Sequence, residues 1–282
     1  MNYFKPWEEL TIQDDYIFQH VMRNPEICKH FLEKLLGLKI KTITYMQLEK
    51  TVDLRYESKG VRFDIYVEDE NGTAYDVEMQ TSTDRKGSLA KRTRYYQSAI
   101  DANALKKGSP YFALKESFVI FVCTFDPFDE QRRIYTFRNR CVESEGLELG
   151  DGATKIFLNI KGLAGELDDD IKNFLLFVAG KPPVGEFVKR VAVEVEEVKR
   201  QEKLKVGYMK YTADIMDAEF RGEIRGEIKG EIKGEIKGEI KKTLNIVKNL
   251  LRKGFPKKEI MELAECTEKQ FLQAKRELGM TS

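Results

Sequence analysis

The stretch RFDIYVEDENGTAYDVEMQ, residues 62–80, sets two alternating runs on either side of Glu70-Asn71-Gly72, the pattern of a β-hairpin. Two loops are open to it, and a shift of one residue turns every side chain to the other face. A two-residue Asn71-Gly72 turn pairs Asp64 with Met79 and sets Phe63, Ile65 and Val67 against Gln80, Glu78 and Asp76, so both faces mix oil and charge. A three-residue loop, Glu70-Asn71-Gly72 with its glycine left-handed, instead pairs Phe63 with Met79, Ile65 with Val77 and Val67 with Tyr75. One face is then wholly apolar and can be buried. The same register sets Asp64 opposite Glu78, with Gln80 further along that polar face, opposite Arg62.

Side chains directly opposite each other lie about 5 Å apart at Cβ, so Asp64 and Glu78 repel unless a cation lies between them. Two carboxylates, with water and a substrate phosphate filling the other positions, suit Mg²⁺, which needs few protein ligands. The plainer reading of the same residues is a half-exposed hairpin that shows its charges to solvent.

The order Asp, hairpin turn, Glu-x-Gln, carried by RFDIYVEDENG and DVEMQ, resembles the PD-(D/E)XK nuclease-family transposases, also described as recombination-promoting nucleases. The likeness runs over roughly residues 10–200 and takes in DDYIFQHVM, KRTRYYQSAID, FVIFVCTFDPF and LNIKG. It implies an α/β fold with a restriction-endonuclease-like core, a mixed sheet flanked by helices, followed here by a helical C-terminal extension. It also implies hydrolysis of DNA phosphodiester bonds with Mg²⁺ or Mn²⁺, in recombination or mobile-element biology. On that resemblance Asp64, Glu78 and Gln80 are catalytic, and Asp64, Glu78 and the Met79 backbone carbonyl hold the metal. Arg94, Tyr95 and Gln97 are accessory candidates, and Asp15, from DDYIF, is a further candidate carboxylate. The wider superfamily ends this motif with a lysine. Glutamine cannot supply that charge, so more electrostatic work falls to the metal or to Arg94. A non-catalytic DNA- or protein-binding module that keeps the nuclease fold is the competing reading.

Composition narrows the field. With 282 residues the chain can bury one main core and carry an appendage. Its 48 Lys and Arg balance 47 Asp and Glu, so any affinity for nucleic acid must come from local patches. No apolar run approaches the length of a membrane span, and MNYFKPWEEL lacks a signal-peptide core, which predicts a cytoplasmic protein with no membrane partner. Cys28, Cys123, Cys141 and Cys266 show no close spacing, which argues against disulfides and zinc sites. His20 and His30 are too few for a zinc hydrolase, and phosphate-loop and nucleophile-elbow motifs are missing. Acid chemistry remains.

Around the hairpin, residues 12–36 read as helical, with a restart at Pro25 and a stop at Gly37. Strands are expected at 40–46, 61–80, 117–125, 133–139 and along KIFLNIKG, with FVIFV buried on both faces. Between them, residues 88–106 form a helix. The stretch 85–107 holds Arg85, Lys86, Lys91, Arg92, Arg94, Lys106 and Lys107 against the single acid Asp101, a surface that would attract a phosphate backbone. Leu89, Thr93, Tyr96 and Ile100 share helical spacing and should face the sheet.

A first domain is therefore set at 1–185, a charged helix and repeat at 186–241, and a small helix-turn-helix-like module at 242–282. The repeat, GEIRGEIKGEIKGEIKGEIK at 222–241, has five copies of a four-residue unit. On a helix its isoleucines form a stripe that drifts about 40° per copy. Alone it should fray, since each glycine costs about 1 kcal/mol and opposite charges never fall three or four apart. A flexible spacer is one outcome. A parallel homodimer through the repeat is the other, because parallel packing sets one chain's glutamates beside its partner's lysines. From 241 onward ten Lys and Arg outnumber five Glu, which makes DNA contact by the last module a further expectation.

Overall fold

The hairpin takes the three-residue loop. In the computed structural model, which describes residues 4–45, 63–82, 87–105 and 107–280, β2 (Ile65–Asp69) and β3 (Ala74–Gln80) pair antiparallel, with Ile65 opposite Val77 and Val67 opposite Tyr75. Gly72 is left-handed (φ 80°), and Asp69 Oδ1 accepts from the Asn71 and Thr73 amides at 2.8 and 2.9 Å, which fixes the loop. One expected pair fails to form. The ladder starts at Ile65, so Phe63 is free to turn to the other sheet face, where it packs on Tyr66 and Tyr96 at 5.2 Å instead of opposing Met79. Arg62, Arg85, Lys86 and Lys106 lie outside the described residues.

The described strands form a mixed six-stranded sheet in the order β1-β2-β3-β4-β6-β5, with β1 (Ile43–Tyr45), β4 (Ser117–Cys123), β5 (Ile134–Phe137) and β6 (Ala153–Asn159). β3, β4 and β6 run parallel; β2 and β5 run antiparallel to them, and β1, antiparallel to β2, shares their direction. Both β3 and β4 are buried along their whole length, as FVIFV foretold. Joining two parallel neighbours requires a crossover, and α3 (Ser88–Ala104) supplies it. α3 buries Leu89, Thr93 and Ile100 against one sheet face, in a cluster with Phe63, Tyr66, Val119, Phe121 and Phe157.

α1 (Asp15–Met22), α2 (Pro25–Leu36), α4 (Asp169–Val178) and α5 (Glu186–Arg200) pack on one another. Asn24 caps α2 by accepting from the Glu26 and Ile27 amides, Pro25 fills the first helical position, and left-handed Gly37 ends it. Phe31, Phe174 and Phe187 join α2, α4 and α5 through ring contacts of 5.2 and 6.2 Å. With Phe187, Val188, Val191 and Val195 buried, α5 belongs to this first unit. The chain divides after Met209, beyond the boundary expected at 185.

α6 (Glu202–Arg252) runs unbroken through the repeat. Nucleation is the costly step for a helix, and packed residues on either side of the repeat, Tyr208 and then Leu244 and Val247, let it merely propagate where the isolated repeat would fray. The unit from Lys210 onward has its own small core: Leu244 and Val247 of α6, Ile260 of α7 (Lys257–Leu263), and Phe271 and Ala274 of α8 (Glu268–Glu277). Thr267 and Gln270 form a capping box at the start of α8. No helix among the described residues is long and apolar enough to cross a membrane.

Candidate active site

Strand alternation puts Asp76, Glu78 and Gln80 on the α3 side of β3 and Tyr75, Val77 and Met79 on the other. The hairpin's polar face is therefore covered. Asp76 has no exposed surface, Glu78 retains 2 % and Gln80 9 %, so the face is buried along β3 and half-buried on the other strand at Asp64 and Glu68.

Asp64 stands just before β2, where the ladder would next join it to Glu78. Two bonds interlock the chains there. The Asp64 N–H donates to Glu78 Oε1 at 2.8 Å, and the Met79 N–H donates to Asp64 Oδ2 at 3.1 Å. From α1, Gln19 Nε2 donates to Asp64 Oδ1 at 2.8 Å. From α3, Arg92 reaches back with one guanidinium nitrogen on Glu78 Oε2 and the other on Gln80 Oε1, each at 2.8 Å. The guanidinium carbon lies 4.7 Å from the centre of the Phe121 ring and 5.2 Å from that of Tyr96. Gln80 Nε2 donates to the Ser82 carbonyl and hydroxyl at 2.8 and 3.0 Å.

The electrostatics follow from this crowding. Burial first, and the Glu78 charge next, hold the Asp64 carboxyl well above the ordinary range; Asp15 adds repulsion, and the Met79 N–H and Arg92 pull the other way. Asp76 is pushed up by burial, then by Glu78 and Asp64. Burial also raises Glu78, against the pull of Arg92 and the Asp64 N–H. Among the described residues, neither Asp76 oxygen has a hydrogen-bond donor in reach. Its neighbour Glu78 is another carboxyl, so the two can bond only by sharing a proton.

The expected site residues are brought together unevenly. Asp64, Glu78 and Gln80 meet. Met79 sits at the junction through its N–H, with its side chain turned to the opposite face. Asp15 is exposed on α1, one turn before Gln19, and its charge is felt at Asp64. Arg94 points to solvent, and Tyr95 is half-buried against the aromatic cluster. Gln97 is buried and bonds Asp101 at 3.3 Å and the Ser117 hydroxyl, near the start of β4 and away from Gln80. Sequence reasoning passed over Gln19, Asp76, Ser82 and the site role of Arg92. Two of these had a signal: Asp76 continues the Glu78-Gln80 alternation, and Gln19 lies four residues from Asp15 on one helix face. Both histidines serve packing: His20 stacks on Tyr16 at 4.5 Å, and His30 bonds Asp170 at 2.8 Å while stacked on Phe187. All four cysteines are free.

A model of the PD-(D/E)XK nuclease family transposase matches residues 12–176. The chain belongs to this family. No curated protein and no solved structure matches it. The family match contains every residue of the acid cluster and ends within α4, leaving the helices from α5 onward outside. Membership points to a nuclease- or transposase-related function, and PD-(D/E)XK nucleases typically use divalent metals. Among the described residues no three His, Cys, Asp or Glu side chains converge as a ready metal site, but the donor chemistry is compatible with one: the acids offer oxygen alone, which suits a hard cation, and they repel one another while Arg92 is the described cation that pulls on all three.

Proposed function

We propose that the protein is a Mg²⁺- or Mn²⁺-dependent endonuclease that hydrolyses phosphodiester bonds of DNA, with Asp64, Glu78 and the Met79 carbonyl holding the ion. The observation that carries this reading is the crowding of half-buried Asp64 against fully buried Asp76 and Glu78, an arrangement that opposes folding and that a divalent cation would relieve. When bound, the ion would lower the pKa of an attacking water and offset charge that develops on phosphate. The chain's own part is positioning: Gln19 and the Met79 N–H fix the Asp64 carboxylate, and the Asp64 N–H and Arg92 fix that of Glu78. Gln80, expected to orient the water, has both ends of its amide engaged, by Arg92 and by Ser82. That favours the second reading, a non-catalytic module that keeps the fold to bind DNA or protein. A binder, however, gains nothing from buried repelling acids.

Other parts of the proposal rest on the extension. The repeat isoleucines Ile224, Ile228, Ile232, Ile236 and Ile240 are 38–51 % exposed, so they are open to a partner, which we take to be a second copy packed parallel along α6. The basic α7–α8 module is a candidate DNA contact. A cytoplasmic setting agrees with the free cysteines. The test of the central proposal is incubation of supercoiled and linear DNA with Mg²⁺, Mn²⁺ or chelator, beside Asp64→Ala and Glu78→Ala. Both variants should lose cleavage by on the order of a thousandfold or more while remaining folded. Cleavage that persists in Asp64→Ala, or a wild type that neither cleaves nor responds to metal, would overturn it.

A further inference from the structure

We propose that Arg92 is the phosphate-binding cation of this site, held in place by Glu78 and Gln80 and taking the electrostatic role that glutamine at position 80 leaves vacant. This deepens the nuclease reading and rests on it. An anionic substrate approaching buried carboxylates meets repulsion unless a cation stands in front of them. Arg92 is placed to do so: its side chain is 36 % exposed, whereas that of Glu78 beneath it is 3 % exposed.

The orientation of Gln80 follows from its partners. Arginine only donates and a carbonyl only accepts, so Oε1 must face Arg92 and Nε2 must face Ser82. Gln80 is thus a bracket that ties the guanidinium to β3. A lysine at position 80 would set two cations against each other and lose the bracket. Phe121 and Tyr96 support the guanidinium from the sheet and helix sides. Two of the five guanidinium N–H groups are used by Glu78 and Gln80, and the Nε–H is buried. The second N–H on each terminal nitrogen has no partner among the described residues, which suits bidentate recognition of phosphate oxygens. Arg94, exposed two residues further on, lies on a different face of α3 and cannot substitute.

The test measures duplex DNA binding by the full chain in chelator across a series of salt concentrations, with cleavage in Mn²⁺ measured in parallel. A cation that neutralises one phosphate contributes about 0.9 to the slope of log affinity against log salt. Arg92→Gln should lower that slope by about this amount and lower the cleavage rate by roughly a hundredfold or more. Arg92→Lys should keep the slope and recover only part of the rate. Arg92→Gln leaves Glu78 without its partner, so a second comparison guards against misfolding: Arg92→Gln/Glu78→Gln, with no ion pair left to break, should show a lower slope than Glu78→Gln alone. A residue that only braces the fold would shift melting temperature and affinity without changing the slope. Unchanged slopes in both comparisons, in a wild type that cleaves DNA, would overturn the assignment of Arg92 and spare the nuclease reading. A wild type that binds but never cleaves would overturn the nuclease reading, and a lowered slope would still support Arg92. A wild type that does not bind DNA overturns both.

Discussion

Asp64 and Glu78 are joined through a backbone amide: the Asp64 N–H donates to Glu78 Oε1 at 2.8 Å, so the acid that Asp64 repels is also the acid that holds its main chain. The repulsion cannot relax by separating the strands without breaking that bond. It should therefore be visible as stability.

The first prediction concerns pH. In the folded chain the Asp64 and Asp76 carboxyls are raised, by burial first, so folding binds protons there once pH exceeds the unfolded value of about 4. The associated loss of stability is absent below that value, grows as pH rises, and is complete above the raised folded values. Asp64→Asn should therefore melt higher than wild type at neutral pH in chelator, with the difference vanishing near pH 4. Scanning calorimetry at several pH values measures this, and a variant that melts lower at pH 7 contradicts it.

Asp76→Asn should be the more informative neighbour. Its amide can donate to Glu78 where two carboxyls must share a proton, so metal-free stability at neutral pH should rise by about 1 kcal/mol or more. Chemical denaturation in chelator gives the number, and a loss of stability would mean that the buried acid has a donor after all.

Metal binding should release protons, because raised carboxyls must ionise to ligate. Calorimetric titration of Mn²⁺ in two buffers of different ionisation enthalpy should give apparent enthalpies that differ, with affinity rising from pH 6 to pH 8. Asp64→Ala and Glu78→Ala should also lose the rise in melting temperature that saturating metal gives the wild type. Equal enthalpies in both buffers would count against buried, protonated ligands.

Two glycines should respond in opposite directions. At Gly162, in LNIKG, an added Cβ would lie 2.5 Å from backbone atoms of Arg132 and Arg133, so Gly162→Ala should cost on the order of 1–3 kcal/mol. At Gly230 in α6 an added Cβ meets nothing within 4 Å, and Gly230→Ala should gain about 1 kcal/mol of helix stability. The proposed dimer buries isoleucine, so Ile228→Asp with Ile232→Asp should dissociate it in sedimentation, while Gly230→Ala leaves it intact.

What was legible came from local rules. Alternation and loop length were enough for the register Ile65–Val77, because only one register separates oil from charge. Asn24, Pro25 and Gly37 marked helix ends by their own chemistry. What was not legible depended on where separate elements meet. KRTRYYQSAID offers several polar residues to the sheet. Only the packing of α3 decides that Arg92 reaches Glu78 while Arg94 faces solvent. The crossover geometry explains Gln97: five residues beyond Arg92 the helix has advanced about 7.5 Å, toward Ser117, whose partner on β3 is Ala74. Gln19 gave only a helical spacing, with no sign that β2 would end against it.

The buried acids also bear on how such a chain can change over generations. Most proteins that lose an activity by mutation also lose some stability, and cellular quality control then removes them. On the proposed function, a single-nucleotide change from Asp to Asn at position 64 would remove a proposed metal ligand and relieve repulsion at once, leaving an inert molecule with the same fold. Silencing would then carry no folding penalty, and inert copies would persist to compete for the same partners. Acids retained at these positions in any lineage would accordingly record selection for chemistry, since selection for stability alone pulls against them.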